Sequence, residues 1–385
     1  MRLFRVAVIA MAAVLPLSAG ACGFTQHPTD SSPIVIGADL ELSGVDAAIE
    51  STYQRALQLK IDQINAAGGA GGHPIQLAVR DNHSDPAVAV GDVSDLLNQP
   101  DLAALVLGAC SECRAAVAKT IDAKKVPTIS LAPAKVDAGS QYLFKLAPNI
   151  DNDADALAGQ LKDNQVKRFA ILTTSDTNGD EARAALAAQA PKVPATVVDT
   201  ERFKPSDTDL SQPIRAALAK SPDVLVISAF PTQAGQAAAA ARAAGFKQLM
   251  FFDSLAAGDL FLQTGLATAA TDGAVMVAPQ SLVIEDVIAN TPAKSSRRDW
   301  FTAYTTRYGS FSGYSLYAAD AVQLVANVVT STGSADHDRL RDAMENSQFD
   351  GVAGPLRFTP QQHSGLMPQA LVAVKAEQSR WRLLV

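Results

Sequence analysis

Apolar positions along this chain keep changing period, from continuous runs that suit buried strands to spacings of three and four that suit helices. Ile34–Ile36 opens a short apolar strand, and from Asp46 the spacing shifts. Ile49, Tyr53, Leu57, Ile61 and Ile64 then fall on one helix face. Gly68 and Gly69 stop that helix. Ile75, Leu77 and Val79 alternate as a half-buried strand. Asp85 followed by Pro86 reads as an N-cap with proline at the first helical position, opening a helix that runs through Leu97. Leu102–Leu107 is a buried-strand run, a helix follows Ser111, and Pro127–Leu131 is the next strand.

The alternation then restarts. Phe169–Leu172 is an apolar strand, and a helix is expected over Asp180–Ala190. Val193–Val198, Leu210–Ala219 and Val224–Ile227 read as strand, helix and strand. Ala234–Ala244 is a strong helix former that ends at Gly245, and Leu249–Phe252 is again a strand. Strands alternating with helices predict an α/β fold with parallel sheets covered on both faces. Two such series predict two similar lobes. After Gly273 the pattern loosens. Helices are expected near Arg298–Tyr308, Ser315–Val329 and Asp338–Asn346, and short strands with turns follow to Val385.

The 385 residues suffice for two domains, and 48% hydrophobic with 18% charged residues allow a large core. Net charge is −7 with no basic cluster, which argues against a nucleic-acid partner. The first 21 residues change the picture. Arg2 and Arg5, the apolar stretch Val6–Leu17 and the small residues Ala19-Gly20-Ala21 follow the order of a secretory signal, too short and wrongly flanked for a membrane span. Cys22 directly behind them resembles the lipidated cysteine of bacterial lipoproteins, although Ala19 stands where leucine is usual. Several acyl chains give stable anchoring where one does not. The expectation is an extracytoplasmic protein held to the cell membrane by N-terminal lipid on Cys22, with residues 22–33 as a flexible tether.

Candidate chemistry is sparse. The five histidines are scattered, without HExxH or zinc spacing, so neither metal nor other cofactor is expected. No P-loop or GxSxG elbow is present, and the run Gly68–Gly72 follows a helix and precedes a strand, the wrong context for a dinucleotide fingerprint. Cys110 and Cys113 form CxxC. Outside the cytoplasm a structural disulfide stiffening their loop is favoured over thiol redox work, and unpaired buried thiols remain open.

Several segments together resemble the leucine/isoleucine/valine-binding family of type I periplasmic solute-binding proteins, from about Pro33 to Val385. "INAAGGAGGHPIQLAVRDNHSDPAVAV" is similar to that family's helix end, glycine turn, second strand and acidic segment. "VPTISLA", "DTDLSQPIRAALAKSPDVLVIS", "FTAYTTRYG…GYSLYAADAVQLVANVV" and "FDGVAGPLRFTPQQH" resemble later elements in the same order. The resemblance implies two doubly wound (Rossmann-like) lobes joined by a hinge of crossover strands, a cleft that closes on a ligand, and a membrane permease as recipient. Lobe 1 is then expected over 34–147 plus 275–350, and lobe 2 over 148–274 plus 351–385.

The same resemblance nominates a site. Ser111, after the strand Leu102–Leu107, is either a hydroxyl donor to a ligand carboxylate or a helix N-cap. Ala132 and Ala134 lie in a second carboxylate-binding segment, where Pro133, Ala134 and Lys135 leave out the usual hydroxyl. Asp253 aligns with an acidic residue that receives a ligand ammonium, its bland alternative being a strand-end N-cap. Phe230 aligns with an aromatic over the ligand, or is ordinary core. Asn178 stands where many members carry an aromatic. Glu112, where serine is common, is expected to be a surface carboxylate complementing the helix dipole, with selection of a cationic or neutral ligand as the sharper reading. The leading expectation is a non-catalytic binding protein of an ABC-type importer for a small amino acid, amide or related acid. A ligand sensor of the same fold and, behind it, a CxxC thiol redox protein are the alternatives.

Overall fold

The computed structural model describes residues 32–137, 139–258 and 269–384. The export segment and Cys22 lie outside the described residues. The first sheet is built from β1 (Ile34–Leu40), β2 (Ile75–Asp81), β3 (Leu102–Leu107), β4 (Thr128–Ser130) and β5 (Leu143–Lys145), all parallel in the order β2-β1-β3-β4-β5. Between them run α1 (Ala47–Ala66), α2 (Pro86–Leu97) and α3 (Ser111–Lys124). Ile49, Tyr53, Leu57 and Ile61 are the buried face of α1, as their spacing requires. Asp85 caps α2, its carboxylate accepting from Ala87 N at 2.8 Å, beside Pro86 at the first position. β3 is buried along its whole length because helices cover both of its faces.

After α4 (Ile150–Asp163) the chain builds a second sheet. It contains β6 (Arg168–Thr174), α5 (Thr177–Gln189), β7 (Thr196–Phe203), α6 (Ser211–Ala219), β8 (Val224–Ser228), α7 (Pro231–Ala243), β9 (Met250–Phe252) and β10 (Val275–Pro279). Read from β7, its parallel part runs β7-β6-β8-β9-β10, the same order as the first sheet. The chain then returns through α8 (Pro292–Tyr308), α9 (Tyr314–Thr332) and α10 (His337–Glu345). A short hairpin of β11 (Gln348–Asp350) and β12 (Pro355–Arg357) follows. β13 (Leu371–Glu377), antiparallel to β10, and β14 (Arg380–Leu383), antiparallel to β13, close the second sheet. Two similar α/β lobes are therefore present, with the chain crossing between their sheets at 146–149, 280–291 and 358–370.

The expected lobe boundaries need correction at both returns. β10 pairs with β9 and β13, so 275–279 belongs to the second sheet rather than to lobe 1. Residues 363–365 lie beside β5, with Lys145 N donating to His363 O at 2.8 Å, so lobe 2 does not resume at 351. The physical reason is that a strand's partners are set by long-range pairing, which local apolar pattern does not carry. β5, α4 and β10 escaped the sequence reading, although α4 buries a regular stripe of Ile150, Ala154, Leu157 and Leu161.

α9 packs along α1 on one face of the first sheet, while α2 and α3 cover the other. Midway along α9, buried Asp320 reaches the turn after β11 and accepts from Val352 N at 2.7 Å and Ala353 N at 2.8 Å. Gly351 allows this approach, since a Cβ there would stand 2.4 Å from an Asp320 oxygen. Removing this acceptor strands two N–H groups in the interior. Asp320→Ala is expected to lower unfolding free energy by about 2–4 kcal/mol. Urea denaturation monitored by circular dichroism checks this, and an unchanged midpoint would remove Asp320 as the clasp of the returning segment.

Candidate functional site

In a 2-1-3-4-5 sheet the connections diverge between the first and third strands, and a crevice opens there at the carboxyl ends. In the first lobe this point lies between the ends of β1 (Asp39, Leu40, then Glu41) and β3 (Leu107, then Gly108–Cys110). In the second it lies between β6, which ends at Thr174 before Asp176, and β8, which ends at Ser228 before Phe230. Ser111, Glu112, Asn178 and Phe230 fall beside these ends, whereas Ala132 and Ala134 follow β4 and Asp253 follows β9, one strand further along each sheet.

Ser111 opens α3 and is 1% exposed. It is not the N-cap; that position is Cys110, whose sulfur accepts from Cys113 N at 2.9 Å. The Ser111 hydroxyl donates to Asn178 Oδ1 at 2.5 Å, linking the first lobe to the start of α5 in the second. Glu112 also reaches across, accepting from Thr177 N at 3.0 Å. The first N–H groups of a helix lack intrahelical partners and lie at its positive end, so a carboxylate from the opposite lobe suits them. Glu112, in the first turn of its own helix, thus also complements the dipole of α5. A third link joins Lys135 N to Glu181 Oε2 at 2.8 Å, and Lys135 Nζ pairs with Asp151 at 2.8 Å. The lobes are in contact along the crevice. The Cys110 and Cys113 sulfurs lie 2.07 Å apart, bracketing Ser111 and Glu112.

Ala132 and Ala134 are buried in the loop after β4. Ala132 N donates to Ser130 Oγ, and Ala134 O accepts from Arg114 Nη1 at 2.9 Å. Phe230 precedes α7 and lies 6.1 Å, ring to ring, from Tyr314, which is itself 5.8 Å from Tyr53. Tyr53 OH donates to Leu131 O, and Tyr314 OH to Leu255 O. Phe230 therefore belongs to an aromatic group that spans the two lobes. Asp253 is fully buried and is the N-cap of the short turn Ser254–Ala256. Its carboxylate accepts from Ser228 Oγ and from Leu255 N.

Four carboxylates near the first sheet's crevice were missed. Glu50, in the first turn of α1, is 0% exposed and accepts from Ala109 N at 2.7 Å. Gly108 makes room for it, because a Cβ there would lie 2.4 Å from its carboxylate. Glu41 is 2% exposed and accepts from Ser84 Oγ at 2.8 Å. Asp39 is held by Asn82 Nδ2 at 2.9 Å. Asp46 occupies the N-cap of α1 without capping it through its side chain, and Gln233 of α7 lies beside it. A signal for Glu50 was present: it sits three residues before Tyr53 and seven before Leu57, a carboxylate on the apolar face.

Comparison with known proteins agrees with this geometry. The description of the periplasmic binding protein family matches residues 33–379. The chain belongs to the periplasmic binding protein family. It is 23% identical over 361 residues to an amino acid binding protein of Pseudomonas aeruginosa, covering 92% of this chain and 91% of that one. Its fold is similar to that of an extracellular ligand-binding receptor from Rhodopseudomonas palustris (TM-score 0.85, 22% identity, 92% of this chain and all of that one). It is also similar to a branched-chain amino acid transporter substrate binding protein from Streptococcus pneumoniae in complex with isoleucine (TM-score 0.78, 23% identity, 91% and 99% covered). These matches establish the type I fold with two Rossmann-like lobes. Among the described residues no helix is long and apolar enough to cross a membrane, and no set of three His, Cys, Asp or Glu side chains is placed to hold a metal ion.

The crevice gathers several buried ionisable groups with displaced pKa values. Burial pushes Asp39, Glu41 and Asp253 up to about 7 and Asp46 to about 6. Burial, with the neighbouring Glu41 charge, holds Glu50 well above the carboxylate range, and burial with the Asp253 charge does so for Asp153. Lys145, buried and donating to Pro133 O, is lowered to about 7 by burial and by Arg114. Ser43, Asp81 and His83 meet at the exposed rim, but both contacts to His83 use the same ring nitrogen, so they form no serine–histidine–aspartate relay.

These shifts set the sign of a pH effect. Carboxyl groups with raised native pKa values keep protons that the unfolded chain has released, so stability is greatest below about 4 for these groups and is lost as pH rises through 6 to 7. The Lys145 change falls above 7 and does not mask this window. Ligand-free protein is expected to melt several degrees higher at pH 5.0 than at pH 7.5. Scanning calorimetry at matched ionic strength checks it, and a melting temperature that climbs across this interval would contradict the assignment.

Proposed function

We propose that this protein is a lipid-anchored, extracytoplasmic solute-binding protein of an ABC-type importer. It captures a small polar solute, an amino acid, amide or related small acid, between its lobes and passes it unchanged to a membrane permease. The observation that carries this reading is the buried Ser111–Asn178 hydrogen bond, which joins the carboxyl-end loops of two separate sheets. Such bonds exist only while the lobes are together, so they bias the hinge toward closure, and a solute bridging the same loops biases it further. A disulfide between Cys110 and Cys113 holds the segment carrying both Ser111 and Glu112, which reduces the ordering entropy of closure. The relatives that bear amino-acid-binding names support the solute class. Lipid on Cys22 is proposed as the tether, since the body carries a net negative charge that does not favour anionic membranes.

Screening amino acids, amides and small carboxylates by melting shift tests the reading, because a solute that binds only the folded protein raises its melting temperature. A compound present at about 100 times its Kd adds about 2.7 kcal/mol. Ser111→Ala is expected to weaken the bound compound by about fivefold, the loss of one hydrogen bond of about 1 kcal/mol. No shift with any compound would defeat the binding role, and recovery of a chemically altered compound would indicate an enzyme instead. In a host cell, Cys22→Ser is expected to move the protein from the membrane to the soluble fraction. Retention in the membrane fraction would refute the lipid tether.

A further inference from the structure

At its switch point the first lobe uses its anion-binding groups on itself. A free helix start and its preceding loop normally offer N–H groups to an incoming anion. Here Ala109 N is bonded to Glu50 at 2.7 Å, and Cys110 N is turned to Glu41. The Ser111 hydroxyl is engaged with Asn178. A solute carboxylate arriving at this loop meets carboxylates rather than donors.

The leftover capacity has the opposite sign. Glu41 Oε1 and Glu50 Oε2 are buried without a hydrogen-bond partner among the described residues. Across from them, Gln233 is 2% exposed, donates through Nε2 to Pro205 O at 3.2 Å, is hydrogen-bonded to Asp46, and keeps a buried Oε1 without a partner among the described residues. That amide belongs to the other lobe and carries no charge, so its orphaned acceptor is independent of the acidic groups. In their ionised forms all of these atoms are acceptors, and buried acceptors without donors are costly; the unliganded carboxyl groups hold protons for want of another donor, and a bound cation favours their ionised forms. The carboxylates do not converge as a metal-ligand set, which favours a donor whose hydrogen atoms are spread over several directions. Tyr53, Tyr314 and Phe230 add aromatic surface of the kind that attracts organic cations.

We propose that the captured solute carries net positive charge, with an ammonium or guanidinium head received by Glu41, Glu50 and Asp46 and covered by Gln233 from the second lobe. This inference rests on the solute-binding reading above and narrows its substrate class. It places the cationic head at the switch point of the first sheet, whereas Asp253, already bonded to Ser228 and Leu255 N, lies at the second. A guanidinium presents five N–H donors in one plane and an ammonium three, enough to meet the Glu41, Glu50 and Gln233 oxygens together.

Titration calorimetry on the purified full chain at pH 7.5 tests it with agmatine, putrescine and L-arginine as net cations, L-isoleucine as a net-neutral probe and glutarate as an anion. At least one of the cations is expected to bind wild-type protein, and Glu50→Gln, which keeps an oxygen for Ala109 N, is expected to weaken that binding at least about tenfold, the scale of one charge-assisted bond. Circular dichroism verifies that the variant folds; Asp46→Asn, at a less buried position, repeats the test if it does not. Binding of isoleucine or glutarate with no response to the cations overturns the charge assignment and leaves the solute-binding role standing. Equal cation affinity in wild type and both variants overturns the receiving residues. Silence from every probe overturns both readings.

Discussion

The structure of the crevice depends on the cost of burying charge. Glu41 and Glu50 sit at the switch point of the first sheet with almost no access to water. An isolated carboxylate in that position is expensive unless it is hydrogen-bonded, paired or protonated. The chain meets part of this demand internally, through Ala109 N and Ser84 Oγ. Gly108 is required because only a residue without Cβ lets α1 bring Glu50 against β3. What is not met internally is two carboxylate oxygens and the Gln233 amide oxygen, all acceptors. The polarity of the site follows from that remainder.

The same economy of donors explains how the lobes meet. The start of α5 has exposed N–H groups, and the first lobe supplies a carboxylate, Glu112, to one of them. Ser111 next to it donates to Asn178. The aromatic group from Tyr53 through Tyr314 to Phe230 adds contact without polar demand, since the Tyr53 and Tyr314 hydroxyls end on backbone carbonyls. Closure thus rests on a few directional bonds set on rigid strand ends, and rotating one sheet about the crossing segments breaks them together. A single apolar cluster runs from α1 and α9 into the α6–α7 face of the second lobe, so the lobes share core as well as crevice.

Much of the architecture was legible in the residues. The helix face of α1, the Asp85-Pro86 cap and the limits of β3 follow from local rules that tertiary contacts did not override. Legibility failed where an element owes its place to distant partners. β5 has three residues, too short for periodicity to register. β10 reads as an undistinguished apolar run, and only its pairing with β9 and β13 assigns it to the second lobe. At the site, Ser111 meets Asn178 and Glu112 meets Thr177, but the partners in these pairs are more than sixty residues apart in sequence, beyond the reach of local pattern.

By itself the sequence determined the alternation of strands and helices and the duplication of that series, because both are written in local periodicity, capping and turn chemistry, while the order of several resembling segments carried the family. Only the tertiary structure decided which lobe each late segment joins, that Glu112 serves the helix of the opposite lobe, and that Glu41, Glu50 and Asp46 gather at one crevice. The physical reason is that burial and electrostatic environment are properties of three-dimensional neighbourhoods. A glutamate in a helix turn carries the same local signal whether it faces water or, as Glu50 does, a backbone amide fifty-nine residues away.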